Sequence, residues 1–163
     1  TTDHTFTKGV NSPALGTAEF LTGFDLFEDE NQVEVDFLIA PGMTNSTDQA
    51  TVVNDLVSTA QSLRKDCIVN ASPARDDVVN VASAATAVTN VVATANAFTN
   101  SSYLVADNNY LKTYDKYNDQ FIFIPAASST AGICAATDLE RAPWFSPAGQ
   151  RRGNYLGLSL IHI

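Results

Sequence analysis

The sequence predicts a three-layer α/β fold, with a mainly parallel sheet and helices on both of its faces. Short β-rich segments alternate with amphipathic helical segments along the middle of the chain, and this order requires right-handed crossovers between parallel strands. The length of 163 residues, 45% of them hydrophobic, suits one sizeable core and is too short for two full domains. We therefore expect one α/β core, at residues 33–153.

Residues 1–32 form an acidic N-terminal segment ahead of the predicted core. They are rich in Thr, Gly, Asn and acidic residues, and we expect loops with a short helix or turn near residues 25–31. Residues 1–36 hold eight acidic residues against one basic residue, Lys8, which predicts an acidic surface. The eight are Asp3, Glu19, Asp25, Glu28, Asp29, Glu30, Glu34 and Asp36.

The first half of the predicted core has a strand–helix–strand order. Residues 33–40 alternate and then become continuously apolar before Pro41, which is typical of a strand that enters a core. A polar residue among 45–47 can cap a helix whose apolar residues repeat at three- and four-residue spacing as far as Lys65. Residues 67–71 follow with almost no linker, so we expect a second strand parallel to the first.

The second half of the core adds helices and two further strands. Residues 102–106 and 121–124 are the third and fourth predicted strands, separated by a polar, tyrosine-rich hairpin at 110–119. Residues 128–130 can cap a last short helix that runs to residue 136. A longer helix is predicted from residue 76, and its many alanines indicate close packing on the sheet. Its apolar face carries Val81, Ala84, Ala85, Val88, Val91, Val92, Ala95 and Phe98.

Charge and cysteine usage argue against several classes of partner. The net charge of −9 and the pI near 4.4 have the wrong sign for binding nucleic-acid phosphates, so we expect no nucleic-acid partner. No apolar run approaches the roughly 20 residues that cross a bilayer, so we expect no membrane span. Cys67 and Cys134 lack metal-site spacing, and we expect neither a metal nor a cofactor.

The sequence also lacks the common catalytic motifs. It contains no GxGxxG, GxxxxGK[ST] or GxSxG, and its two histidines, His4 and His162, stand at opposite extremes of the chain. An α/β enzyme could still use Asp107, which would stand at the carboxyl end of the third strand. Turn formation with Asn108 and Asn109 is the favoured interpretation of that residue.

Residues 137–153 contain the single tryptophan of the chain between two prolines. Pro143 and Pro147 predict a stiff, extended backbone that holds Trp144 and Phe145 in a fixed place. Such a segment either plugs its own core, which composition favours because a buried Trp usually completes a core, or anchors a neighbouring molecule.

The chain is basic after Glu140, where three arginines and no acidic residue follow: Arg141, Arg151 and Arg152. Opposite charges at the two ends of one domain suit head-to-tail association of identical subunits. Two solvated surfaces that never meet are the alternative interpretation.

Several sequence motifs follow one another in the order of a known family. They are Arg64-Lys65-Asp66-Cys67, Ser101-Ser102-Tyr103, residues 114–119 leading into Ile124-Pro125, and Thr137-Asp138 followed by residues 142–149 and Arg152-Gly153. Residues 24–27, before the first strand, fit as well. On these residues the chain resembles the sheath proteins of contractile phage tails of the T-even type.

The resemblance implies a structural protein with a subtilisin-like core, no enzyme activity and no cofactor. Sheath proteins of this family stack as hexameric rings around a tail tube and contract to drive the tube through the host envelope. The implied partners are other sheath subunits and the tail tube, and the implied location is the virion tail, after assembly in the host cytoplasm. The candidate assembly residues are Pro143, Trp144, Phe145, Gly149, Arg151 and Arg152.

Residues 154–163 depart from the pattern of the family, whose members are several times larger, and we expect a truncated or non-native C-terminal tail there. Two other functions stay open. A hydrolase-like α/β enzyme with a site near Asp107 requires a pocket of convergent polar groups at the strand ends. A stand-alone binding module that displays the hairpin requires exposed Tyr110, Tyr114 and Tyr117.

Overall fold

The computed structural model describes residues 15–149, 153–155 and 159–160. A sheet of three parallel strands lies at its centre, in the order β1 (Phe37–Ile39), β2 (Ile68–Ala71) and β3 (Leu104–Ala106). This confirms the first three predicted strands and their parallel direction. The first strand is shorter than the predicted 33–40. Its hydrogen bonding with β2 begins only at residue 36, where the Asp36 carbonyl accepts the Ile68 N–H at 3.0 Å.

A helix precedes this sheet, where loops were expected. Helix α1 (Thr17–Asp25) replaces the expected loops. The short helix or turn expected near residues 25–31 is present as a turn, in which the Phe27 N–H donates to the Phe24 carbonyl at 2.9 Å. The Gly16 N–H donates to the Glu19 carboxylate at 2.9 Å, which caps the start of the helix. Phe20, Leu21 and Phe24 pack against the main core. The helix is thus held by contacts with residues far along the chain.

Helix α2 (Ser46–Ser58) joins β1 to β2 and supplies much of the core. The Asn45 side chain accepts the Asp48 N–H at 2.9 Å, which confirms the predicted cap. The helix continues as a π-helical turn, Thr59–Arg64, and stops at Lys65, whose φ of 64° is left-handed. Fully buried residues such as Val52 and Leu56 each contribute roughly 1.5–3 kcal/mol by leaving water.

The long helix predicted from residue 76 is broken into two. Helix α3 (Arg75–Val78) is followed by α4 (Ala84–Ala97), and Asn80 lies between them with a φ of 62°. The prediction that this helix packs on the sheet is also wrong, since α4 lies mainly against α2 and α3. It buries Ala87 and Thr94, while Val88 and Val92 of the predicted face stay half-exposed.

The fourth predicted strand belongs to a second, antiparallel sheet. Strands β4 (Tyr110–Asp115) and β5 (Gln120–Pro125) form a hairpin, and β6 (Ser159–Leu160) pairs with the other edge of β4. Only residues 116–119 connect β4 to β5, which is too short for the crossover that a parallel strand requires. The pairing of β6 brings part of the predicted C-terminal tail into this sheet.

The last helix, α5 (Ala126–Glu140), is longer than predicted and includes the residues expected to cap it. It packs against β1 and β2 through small side chains, with Ala127 and Ala131 buried. The Ala127 N–H donates to the Ser72 hydroxyl at 2.9 Å, which fixes the start of the helix just beyond the end of β2. Across the described residues, no helix combines the length and apolarity that a membrane span needs.

Candidate assembly surface

The chain that leaves α5 forms a loop, which we call the Trp144 loop and whose described residues are 141–149 and 153–154. Helix α5 closes with a hydrogen bond from the Arg141 N–H to the Thr137 carbonyl at 2.9 Å. The chain then turns, since the Phe145 N–H donates to the Ala142 carbonyl at 2.9 Å. The extended backbone predicted around Trp144 is therefore wrong, because Pro143 and Trp144 are the central residues of this turn.

Trp144 stands at the surface, with 83% of its side chain exposed. Its ring lies 5.9 Å from the ring of Phe145, tilted by 55°, and Phe145 is half-buried. The interpretation of Trp144 as a plug in its own core is thus overturned, because the loop turns its indole toward solvent. An exposed, ring-supported Trp offers a large contact area to a neighbour at a low cost in side-chain entropy.

Two glycines shape the far side of the Trp144 loop. Gly149 has a φ of +127°, a conformation that L side chains rarely adopt, and its carbonyl accepts the Gly153 N–H at 2.8 Å. A Cβ at Gly153 would lie 3.3 Å from the Pro147 carbonyl oxygen. The loop therefore needs glycine at both ends of this turn. Pro143 and Gly149 are exposed, whereas the candidates Arg151 and Arg152 lie outside the described residues.

The returning end of the loop is fastened to α5. The hydroxyl oxygens of Tyr155 and Thr130 lie 2.9 Å apart and form a hydrogen bond. Thr130 also hydrogen-bonds the Asp107 carboxyl, just beyond the end of β3. Either hydroxyl can be the donor in the pair of Thr130 and Tyr155. The Trp144 loop is thus held at both ends.

A second candidate surface is an acidic groove near the starts of β1 and β2. It has a volume of about 570 Å³, and three carboxylates line it, those of Glu30, Glu34 and Asp66. Asn31, Gln32 and Val33 complete its walls. Two residues of the acidic stretch 1–36, Glu30 and Glu34, thus share one groove with Asp66.

Arg64 holds the acidic groove to the end of α2. Its side chain is buried, and its Nε and Nη2 atoms donate to the two carboxylate oxygens of Asp66, each at 2.9 Å. Its Nη1 atom donates to the Phe27 carbonyl at 2.7 Å. This planar fork binds the loop before β1 to the chain before β2, a geometry that lysine cannot reproduce.

Local hydrogen bonds keep most of this surface negatively charged. The Arg64 guanidinium lowers the pKa of Asp66, and the Asn31 N–H with neighbouring side chains lowers the pKa of Asp29. By contrast, burial together with the nearby Asp25 carboxylate raises the pKa of Asp55. Because Asp66 is paired with Arg64, the carboxylates of Glu30 and Glu34 give the groove its negative charge, which suits a basic partner.

The carboxyl ends of the parallel strands give little support to the alternative of an α/β enzyme. Burial raises the pKa of Asp107, and its Oδ2 atom is shielded from solvent with no hydrogen-bond partner among the described residues. The amide of Asn70 on the neighbouring strand is also buried and unpartnered within this part of the chain. In the described residues, no three Cys, His, Asp or Glu side chains gather as metal ligands would.

The tyrosine hairpin is exposed only in part. Tyr110 is buried, with 1% of its surface exposed, while Tyr114 and Tyr117 are 51% and 86% exposed. Tyr114 donates to the Asp119 carboxylate, and its ring meets the ring of Phe121 edge-on at 5.3 Å. The burial of Tyr110 contradicts the prediction that all three tyrosines are displayed, so the binding-module alternative is weakened.

The sequence patterns did not single out Leu139 as a surface residue. Leu139, in the last turn of α5, is 90% exposed and lies five residues before Trp144. Its position between Asp138 and Glu140, on a helix end that is otherwise polar, was the available signal. An isolated exposed leucine is common, but one that directly precedes the Trp144 loop extends the apolar character of this region.

Comparison with known proteins gives the chain a family. No family model matches it. The tail sheath protein of Enterobacteria phage T4 is 35% identical over 98% of this chain and 26% of its own length. The tail sheath protein of Vibrio phage KVP40 is 31% identical over 95% of this chain and 25% of its own length. That of Salmonella phage ViI is 44% identical over 34% of this chain.

The first two matches extend over nearly all of this chain, so they include the parallel sheet, the acidic groove and the Trp144 loop. The chain spans about a quarter of the length of these two relatives. It belongs to the tail sheath protein family of phages, as the counterpart of that quarter.

Proposed function

We propose that this chain is part of the structural core of a contractile phage tail sheath. The observation that carries the proposal is the 35% identity to a tail sheath protein over 98% of the chain. The exposed Trp144 agrees with it, because a large apolar side chain on a braced loop suits an assembly contact better than an isolated domain. The role is structural and has no catalytic step, in keeping with the shielded Asp107 carboxylate.

The core is proposed to act as a rigid three-layer body with a subtilisin-like layout. Helices α1 and α2 pack on the face of the sheet that carries Leu38 and Val69, and α5 packs against the same strands with a separate set of buried alanines. A close-packed α/β body transmits displacement without deforming. Contraction would then change the contacts between subunits and leave each core intact.

The two candidate surfaces are proposed to meet head-to-tail in the sheath. The acidic groove presents the carboxylates of Glu30 and Glu34 beside the Arg64–Asp66 pair, and Arg141, Arg151 and Arg152 lie close to Trp144 in sequence. Complementary charge sets the orientation and register of such contacts, and a central aromatic residue supplies much of their free energy. The partners would be sister subunits in hexameric rings and the tail tube, within the virion tail after assembly in the host cytoplasm.

Tube formation by the complete sheath polypeptide tests this proposal. We expect Trp144→Ala and Arg152→Ala to reduce the yield of sheath tubes in electron micrographs, with folding judged separately by circular dichroism. Tyr117→Ala is the matched control, since Tyr117 is 86% exposed on the hairpin and outside the Trp144 loop. Normal assembly by both variants would remove the role assigned to the loop.

A further inference from the structure

Strand β3 is an edge of the parallel sheet within the described residues. On its outer side the Leu104 N–H makes only a long turn bond, 3.4 Å, to the Ser101 carbonyl. The Val69 N–H donates to the Tyr103 carbonyl, and the Asp107 N–H donates to the Ala71 carbonyl, both at 2.8 Å. Alternate residues of a parallel strand direct their backbone groups to opposite sides. The N–H and C=O of Ala106 therefore point away from β2.

Both faces of β3 are also open. Val105 is 40% exposed on one face, and Ala106 is exposed on the other. A surface groove of about 330 Å³ lies beside the strand, and Phe98 and Leu104 contribute to its lining. The remaining lining residues are Ala95, Asn96, Thr99, Asn100, Ser101 and Ala106, so the groove carries no charge.

An edge of this kind is unusual for a strand that ends a sheet. Natural edge strands are protected by very short length, charged side chains, proline or a bulge. Strand β3 is short, at three residues, but residues 98–106 contain neither a charged residue nor proline. Parallel sheets are normally covered on both faces, with apolar strands in the interior. The three residues of β3, Leu104, Val105 and Ala106, have the composition of an interior strand.

We propose that β3 is an interior strand of the complete sheath polypeptide, and that a further strand of the same polypeptide pairs with its outer edge. This rests on the proposed function, because it assigns the added strand to the part of a sheath protein that these 163 residues do not include. The two long matches cover 26% and 25% of the relatives' lengths, so ample sequence exists to supply it.

The short length of β3 indicates whether the added strand comes from the same polypeptide or from a separate molecule. A three-residue strand offers only a few backbone hydrogen bonds, each worth about 1 kcal/mol net. Bringing in a separate molecule costs an estimated 4–15 kcal/mol of translational and rotational freedom. Such an edge cannot hold a free partner by itself, whereas a strand tethered in the same chain does not carry that cost.

Hydrogen exchange in the complete, unassembled sheath polypeptide tests the proposal at single-residue resolution. The Ala106 amide points to the proposed partner, and the Val105 amide points to β2 and serves as the internal reference. We expect the Ala106 amide to be protected to within about tenfold of the Val105 amide. Exchange of Ala106 near the rate of an unstructured amide would overturn the proposal.

Proline substitution gives an independent readout. Proline is tolerated where an edge N–H faces solvent and disrupts a strand whose N–H is bonded. We expect Ala106→Pro to lower the melting temperature of the unassembled polypeptide. Val105→Pro is expected to lower it as well, because it removes the bond to β2. An Ala106→Pro variant that melts like the unchanged protein, beside an unfolded Val105→Pro variant, would show that β3 is a true edge.

The same exchange measurement on assembled tubes identifies the source of the strand. Protection of Ala106 that appears only after assembly would assign the strand to a neighbouring subunit and overturn the proposal. Because the test uses the unassembled polypeptide, a failure to form tubes would count against the proposed function and leave the exchange result unaffected.

Discussion

The hydroxyl groups of Thr130 and Tyr155 lie 2.9 Å apart and join the middle of α5 to the chain that returns from the Trp144 loop. Thr130 in turn bonds the Asp107 carboxyl beyond the end of β3. The returning end of the Trp144 loop is thereby joined to a short chain of hydrogen bonds that starts at the sheet. The exposed indole of Trp144 is thus carried by an anchored loop, which lowers the entropy cost of a contact made through it.

Removal of this bond should loosen the Trp144 loop without unfolding the core. Tyr155→Phe keeps the ring and removes the hydroxyl that bonds Thr130, at a cost of about 1 kcal/mol. We expect faster proteolytic cleavage within residues 141–149, measured by mass spectrometry of the fragments. Tyr117→Phe, on the exposed hairpin, is the control, and equal cleavage in both variants would contradict the anchoring role.

The close approach of Gly42 and Tyr110 gives a prediction for the core. A Cβ at residue 42 would lie 2.6 Å from the Tyr110 hydroxyl oxygen, so we expect Gly42→Ala to destabilise the protein by about 1–3 kcal/mol. Tyr110→Phe should relieve the clash, since the next nearest atoms are 3.4 Å away. Urea unfolding of the single and double variants measures this, and strictly additive costs would contradict the contact.

Tyr110→Phe alone should be neutral or stabilising. The Tyr110 hydroxyl is buried without a partner among the described residues, and burial raises its pKa to about 12. Deleting an unsatisfied buried hydroxyl removes a desolvation penalty of about 1–3 kcal/mol. A clear loss of stability in this variant would show that the hydroxyl has a bonding partner in solution.

Asp107 should make stability depend on pH in a defined direction. Burial raises its pKa, so the folded state favours the protonated carboxyl, and the hydrogen bond from Thr130 opposes this only in part. Its contribution is present below the pKa of the unfolded chain and is lost as the pH rises through the folded value. Asp107→Asn stays neutral, so the variant should gain stability relative to the unchanged protein as the pH increases from about 4. Urea unfolding across a pH series measures the difference, and a difference independent of pH would contradict the assignment.

Local sequence patterns predicted the parallel sheet and α2, because apolar runs and the Asn45 cap act over a few residues. They did not predict α1, which depends on contacts of Phe20 and Phe24 with a distant core. Nor did they place β5, because an apolar run such as Phe121–Ile124 fits a parallel or an antiparallel strand equally well. The choice between the two depends on the short connection to β4.

At the candidate site, too, the sequence predicted some features and not others. The residues around Trp144 were singled out by composition, and the family resemblance on those residues is confirmed by the tail sheath matches. Whether the indole is buried or exposed depends on how the loop turns after α5, which composition does not encode. The fork between Arg64 and Asp66 was likewise beyond the sequence, although both residues stood in a matched motif.

The most direct test of the account is the environment of Trp144 before and after assembly. The measurement is acrylamide quenching of its fluorescence, in a complete sheath polypeptide in which the other tryptophans are replaced by phenylalanine. Because 83% of the side chain is exposed, we predict efficient quenching in the unassembled protein and strong protection in the sheath. Equal quenching in both states, or protection already present before assembly, would contradict the claim that Trp144 is an assembly contact.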